Sequence, residues 1–143
     1  MWIVIKFDKK NFDFFKKELK IKLSRDHTLY CPKILIHKYK NNKLIKKEFN
    51  VLGDYVFCYD KKFQDKEILI KLKFVKGLKY ILDGFLFSQE EILKFINRCK
   101  EFENDSGYIT QNFFDLQEIS EYKFVSGPFV DKIFKIINLQ KNK

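Results

Sequence analysis

Apolar and β-branched residues alternate from Met1 to Phe7, which predicts an opening strand. From Asn11 to Leu23 the spacing changes. Phe12, Phe15, Leu19 and Leu23 recur at i, i+3, i+7 and i+11 with Lys and Glu between them, so an amphipathic helix starts near Asp8 or Asn11. Ser24–His27 reads as a loop. After Pro32, Ile34 and Ile36 alternate with Leu35 and His37. The polar turn Lys40-Asn41-Asn42-Lys43 then joins Ile34–Lys40 to Lys43–Phe49 as a predicted hairpin. Val51–Tyr59 reads as a further strand, broken early by Gly53-Asp54. Gln64 to Val75 fits a helix or a strand; apolar spacing and Lys/Glu content favour the helix, with Gly77 ending it. Leu78–Leu82 is a short strand before a turn at Gly84. Ser88-Gln89-Glu90-Glu91 has the form of a capping box and opens a helix to about Phe102, with Ile92, Leu93, Phe95, Ile96 and Cys99 available for its apolar face.

The order β-α-β-β-β-α-β-α implies an α+β domain, a mostly antiparallel sheet flanked by helices. Glu103–Gly107 breaks the pattern, which places the expected domain over residues 1–104 and a linker over 105–120. Residues 121–143 form an expected hairpin-like tail, with strands at Glu121–Val125 and Ile133–Leu139 around Ser126-Gly127-Pro128-Phe129. No period of 20–50 residues repeats.

A chain of 143 residues suits one domain, or one domain with a short appendage. Hydrophobic residues are 45% and aromatics 17%, which excludes an intrinsically disordered chain. The apolar runs are too short to span a bilayer, and the N-terminus lacks the basic and small-residue features of a signal peptide. Charge is uneven. Residues 1–50 carry 14 basic and 5 acidic groups, 51–100 carry 10 and 7, and 101–143 carry 5 and 7. A basic N-terminal third suits a polyanion such as nucleic acid. A second reading is compositional: 27 of the 29 basic residues are Lys, only Arg25 and Arg98 are Arg, and Ala is absent, as in a chain encoded by AT-rich sequence. A surface selected for phosphate and guanine would use more Arg.

Candidate chemistry is sparse. Cys31, Cys58 and Cys99 have spacings that match no zinc or redox pattern, which points to packed thiols in a reducing, cytoplasmic compartment. No phosphate-binding glycine loop or nucleophile elbow occurs. Cys31 and His37 on one strand lie about 20 Å apart at about 3.3 Å per residue, too far to act as nucleophile and base. Glu90 and Glu91 fit the first turn of a helix, where acids complement its dipole. The expectation is a non-enzymatic protein without catalytic residues, metal or cofactor.

Four segments in order carry a family resemblance: Trp2-Ile3-Val4-Ile5, Val51-Leu52-Gly53-Asp54-Tyr55-Val56-Phe57-Cys58, Phe74-Val75-Lys76-Gly77-Leu78-Lys79-Tyr80-Ile81, and Ser88-Gln89-Glu90-Glu91-Ile92. Together they resemble the N-terminal (NGN) domain of the NusG family of transcription elongation factors, which includes the RfaH-type paralogues. Val125-Ser126-Gly127-Pro128-Phe129 is similar to the S-G-P-F of that family's C-terminal KOW module. The match departs where the family has Phe-Pro and this chain has Val51-Leu52, and where Ile3 replaces a second aromatic. It also departs in the 23 residues from Glu121, against about 50–60 for a KOW barrel, enough for about two strands.

The resemblance implies binding to RNA polymerase at the clamp helices of its largest subunit, with effects on pausing, processivity or antitermination, and competition with a full-length NusG. Tyr55 and Phe57 match the family's patch, Leu52 replaces its phenylalanine, and Gly53 and Asp54 fill the turn. Tyr55 and Phe57 share one sheet face and Val56 and Cys58 the other. If the latter pair meets the helices, the aromatics are free to bind; otherwise they are core. Lys71, Lys73 and Lys76 would face the non-template DNA strand, with Lys16, Lys17 and Lys20 (and Lys22) adding phosphate contacts, unless all are simply solvated. Each phosphate contact should add about 0.9 to the slope of log affinity on log salt. Further expectations are a monomer, no membrane partner, and no Rho or ribosome contact through so short a tail. Two alternatives are a polymerase-independent nucleic-acid binder and an interaction subunit of a larger assembly.

Overall fold

The computed structural model describes residues 1–110 together with 135 and 136. Six strands and three α-helices follow one another in the first 101 residues: β1 (Trp2–Phe7), α1 (Phe12–Lys22), β2 (Thr28–Tyr30), β3 (Lys33–Lys40), β4 (Lys43–Asn50), β5 (Tyr55–Tyr59), α2 (Lys66–Leu72), β6 (Leu78–Ile81) and α3 (Gln89–Glu101). Strands β2, β5, β1 and β6 form a sheet in that order with antiparallel pairings. Strands β3 and β4 form a separate two-stranded sheet. The α+β class expected from the sequence is the class observed.

Two compact units share the chain: Met1–Cys31 with Asp54–Gln89, and Pro32–Gly53 with Glu90–Lys143. In the first, the period-2 pattern of β1 and β5 sends Ile3, Ile5, Phe7, Val56 and Cys58 to one face. There they meet Phe15, Leu19 and Leu23 from α1 and its end, Phe63, and Leu72 from α2. This cluster is the unit's core, and Leu78 and Val75 close it. Gly77 holds φ +95° beside α1, where a Cβ would stand 2.8 Å from Phe15 Cβ and 3.1 Å from the Asn11 carbonyl oxygen.

Asp60 ties the sheet's end to the α1–β2 loop. Its carboxylate accepts from Ser24 N–H (2.8 Å), Ser24 Oγ (3.0 Å) and Lys62 N–H (2.8 Å). Burial works against its charge, but these donors outweigh burial and hold its pKa below the ordinary carboxylate value.

In the second unit, Asn41 and Asn42 both take positive φ (53° and 63°), the geometry of a tight two-residue hairpin turn. Helix α3 buries Ile92, Phe95, Ile96 and Cys99, the stripe its spacing implied, whereas Leu93 stays exposed. Ile109 N–H donates to the Lys33 carbonyl (2.8 Å), and Tyr108 Oη to Glu48 Oε1.

Several expectations need correction. Val51–Asp54 is a turn, not the start of a strand: Gly53 has φ 62° and its N–H bonds back to the Asn50 carbonyl, so β5 begins only at Tyr55. Strand β2 (Thr28–Tyr30) lies outside every element the sequence predicts, because three residues carry no period. The helix expected over Gln64–Val75 is confined to Lys66–Leu72, with Asp65 capping it through a bond from Glu67 N–H (2.9 Å). Of the two tail strands, Glu121–Val125 lies outside the described residues, and of Ile133–Leu139 only Lys135 and Ile136 are described. These two are helical. The linker over 111–120 and the rest of the KOW-like segment also lie outside the described residues.

Candidate functional site

The face of the four-stranded sheet opposite α1 and α2 is aromatic. Antiparallel register sets three rows across it: Tyr55, Lys6 and Tyr80; then Tyr30, Phe57 and Val4; then Tyr59 and Trp2. In the first row, Tyr55 Oη and Tyr80 Oη are 2.7 Å apart and hydrogen-bonded. Lys6 Nζ lies between the rings, 5.1 Å from the Tyr55 centroid and 6.0 Å from that of Tyr80, both within cation–π range. Tyr80 is 45% exposed and Tyr55 half-buried. Partial burial, then the hydrogen bond shared with Tyr80, push the Tyr55 phenol up to about 12. Tyr55 is therefore a neutral phenol at neutral pH, with the Tyr80 hydroxyl and the Lys6 amine beside it. That set suits a surface that must bury apolar area while keeping polar tips satisfied.

The second and third rows are different. Phe57 is fully buried, edge-on to Trp2 at 6.5 Å and tilted against Tyr30 at 6.3 Å. Leu52 is 1% exposed and Gly53 is buried. Of the five residues expected to grip a partner, Leu52, Gly53 and Phe57 therefore offer it no side-chain surface as placed. Val56 and Cys58 do face the helices, but that does not free Phe57, whose own face is closed over it. Asp54 acts in the turn: its carbonyl accepts from Phe7 N–H (2.9 Å) and its carboxylate pairs with Lys9 (3.3 Å), which fixes where Tyr55 starts. Tyr55 alone remains as a contact side chain, and it gains two neighbours the sequence reading missed, Tyr80 and Lys6. The register of β6 on β1, with an irregularity between Lys6 and Phe7, brings Tyr80 there, and no local pattern announces it.

The six lysines assigned to nucleic acid do not form one patch. Lys16, Lys17 and Lys20 lie on α1, on the sheet's other side from Tyr55. Lys16 pairs with Asp13 (3.5 Å) and sits over the Phe12 ring (4.8 Å). Lys76 reaches α1 as well, 5.4 Å over the ring of Phe14. Lys71 and Lys73 are exposed at the end of α2, where cations complement its dipole.

Cys58 and Cys99 are buried thiols outside any disulfide. Burial, then Asp60, push Cys58 up to about 12, and burial, then Glu103, push Cys99 up further, so neither is a nucleophile at neutral pH. Among the described residues no group of three or more His, Cys, Asp and Glu is placed to hold a metal ion, and no helix is long and apolar enough to cross a membrane. Other large apolar side chains stand exposed, Phe87 at 97% and Phe74 at 83%. No protein-family model matches the chain, and no curated protein matches it at a significant level.

Proposed function

We propose that this chain is a NusG-type transcription elongation or antitermination factor. In this reading it docks on the clamp helices of RNA polymerase with the Tyr55–Lys6–Tyr80 row, and modulates pausing or processivity in competition with a full-length NusG. The observation that carries the proposal is the tyrosine pair. Tyr55 stands where the resemblance expects a clamp-gripping aromatic, it faces away from α1 and α2, and its hydrogen bond to Tyr80 sets a second, exposed aromatic beside it for a helical hairpin to meet. The landmark segments also fall on regular elements. Trp2-Ile3-Val4-Ile5 lies in β1, Tyr55–Cys58 in the neighbouring β5, Leu78–Ile81 in β6 on the other side, and α3 opens just after Ser88.

The test is retention of bacterial RNA polymerase by the immobilised chain. Wild type retains it, and full-length NusG displaces it. Tyr55→Ala/Tyr80→Ala, with its circular dichroism unchanged, loses at least about tenfold in affinity, since two aromatic anchors each contribute on the order of 1 kcal/mol or more. A folded wild type without polymerase affinity, or a double variant that binds as wild type does, sinks the proposal.

A further inference from the structure

The β3–β4 hairpin has a feature that the clamp-docking reading does not use. Every residue from His37 to Glu48 is exposed, so the distal part of a regular ladder contributes little to a core. Eight residues per strand make a ribbon about 27 Å long at about 3.4 Å per residue. Directly paired residues share a face, so the register sorts the side chains. One face carries Ile34 with Phe49, Ile36 with Lys47, Lys38 with Ile45, and Lys40 with Lys43. The other carries Lys33 with Asn50, Leu35 with Glu48, His37 with Lys46, and Tyr39 with Leu44.

Four lysines, Lys38, Lys40, Lys43 and Lys47, thus stand on the outer three of that face's four pairs, and no acid stands on that face. The hairpin's only carboxylate, Glu48, is on the other face, paired with Lys33 (3.8 Å) and bonded by Tyr108. Among the described residues none of the four lysines is ion-paired. Lys40 and Lys43 sit directly opposite each other beside the turn, an arrangement that like-charge repulsion disfavours. A polyanion laid on that face would relieve the repulsion.

We infer that the lysine face of the β3–β4 hairpin binds the phosphate backbone of duplex DNA without reading its sequence. A two-stranded ribbon fits the major groove, about 12 Å wide, and Lys supplies point charges for phosphate rather than the bidentate fork that reads guanine. Single strands are held by stacking on aromatics, and this face has no exposed aromatic: Tyr39 points the other way. A membrane needs a broader apolar face than the Tyr39–Leu44 pair, which His37 and Lys46 flank. The inference is independent of polymerase, since it rests on other residues and on free DNA.

The experiment is fluorescence anisotropy of the full chain with a labelled mixed-sequence DNA duplex, titrated between about 50 and about 200 mM salt. Neutralising the face with Lys38→Gln/Lys40→Gln/Lys43→Gln/Lys47→Gln should flatten the slope of log affinity on log salt by about 3.6, or about 0.9 per lysine. Lys46→Gln, on the other face, should leave it unchanged. If the fourfold variant loses its circular dichroism signal, Lys40→Gln and Lys43→Gln taken singly should each flatten the slope by about 0.9. An unchanged slope overturns the inference and leaves the lysines as guards against edge-to-edge strand pairing. So does a wild type that binds phosphatidylserine vesicles but not the duplex. So does a slope lost only when Lys16, Lys17 and Lys20 are neutralised.

Discussion

Tyr55 and Tyr80, 25 residues apart in sequence, share a hydrogen bond of 2.7 Å between their hydroxyls, with Lys6 on the strand between them. Burial first, then the Tyr80 hydroxyl, raise Tyr55 to about 12. A pKa raised in the folded state means that the contribution to stability is complete below the ordinary tyrosine value of about 10, and is lost as pH climbs from about 10 to about 12. Tyr80→Phe removes the second cause and leaves burial, so it should bring the Tyr55 ionisation part of the way down from about 12, read as tyrosinate absorbance against pH. Identical titration curves for wild type and variant would show that the pair is not coupled in solution.

Phe57 and Tyr55 are neighbours on one face with opposite roles. Phe57→Ala empties a fully buried site between Trp2 and Tyr30 and should cost about 3–5 kcal/mol in urea unfolding. Tyr55→Ala should cost about 1 kcal/mol, as expected of a partly exposed side chain. A Phe57 variant as stable as wild type would mean that its face opens in solution, and would return Phe57 to the list of contact residues.

Gly77 and Gly107 both hold left-handed backbone, at φ +95° and +83°, but only Gly77 has a neighbour within reach. Either Gly→Ala change incurs a strain of about 1–3 kcal/mol. Gly77→Ala must also displace Phe15 and Asn11 at the start of α1, so it should lower the urea midpoint clearly more than Gly107→Ala does. Equal losses would show that α1 shifts freely to make room.

Asp60 makes the fold acid-sensitive. Its pKa is held down in the folded state, so its contribution is present above the ordinary carboxylate value of about 3.9 and is lost as pH falls through the lowered one. Asp60→Ala leaves the Ser24 and Lys62 amides without their acceptor and should cost about 2–4 kcal/mol at neutral pH, for more than one bond to a charged group. The variant's stability should also depend less on pH below about 4 than that of wild type. Parallel acid-unfolding curves would assign the sensitivity to other carboxylates.

Much of the fold was legible in short windows. Phe15, Leu19 and Leu23 announced the buried stripe of α1, Ile92, Phe95, Ile96 and Cys99 that of α3, and Asn41-Asn42 the hairpin, because each signal lies within a turn or two of chain. Strand β2 escaped because Thr28–Tyr30 exists only through its pairing with β5, not through its own pattern. The candidate site was legible by half. Period 2 correctly put Tyr55 and Phe57 on one face, but burial is set by neighbours from other strands. Phe57 sits in a row closed by Tyr30 and Trp2, whereas Tyr55 begins its strand at the open row.

The sequence by itself determined most of the elements, the α+β class, the hairpin turn and which strand residues share a face. These follow from local sterics and a two- or 3.6-residue period, which need no knowledge of the rest of the chain. Tertiary structure alone decided that Tyr80 meets Tyr55 over Lys6, that Leu52 and Phe57 are buried, and that four lysines gather on one face of the hairpin. Each depends on register between strands distant in sequence or opposed across a turn, where a shift of one residue would send every side chain to the other face.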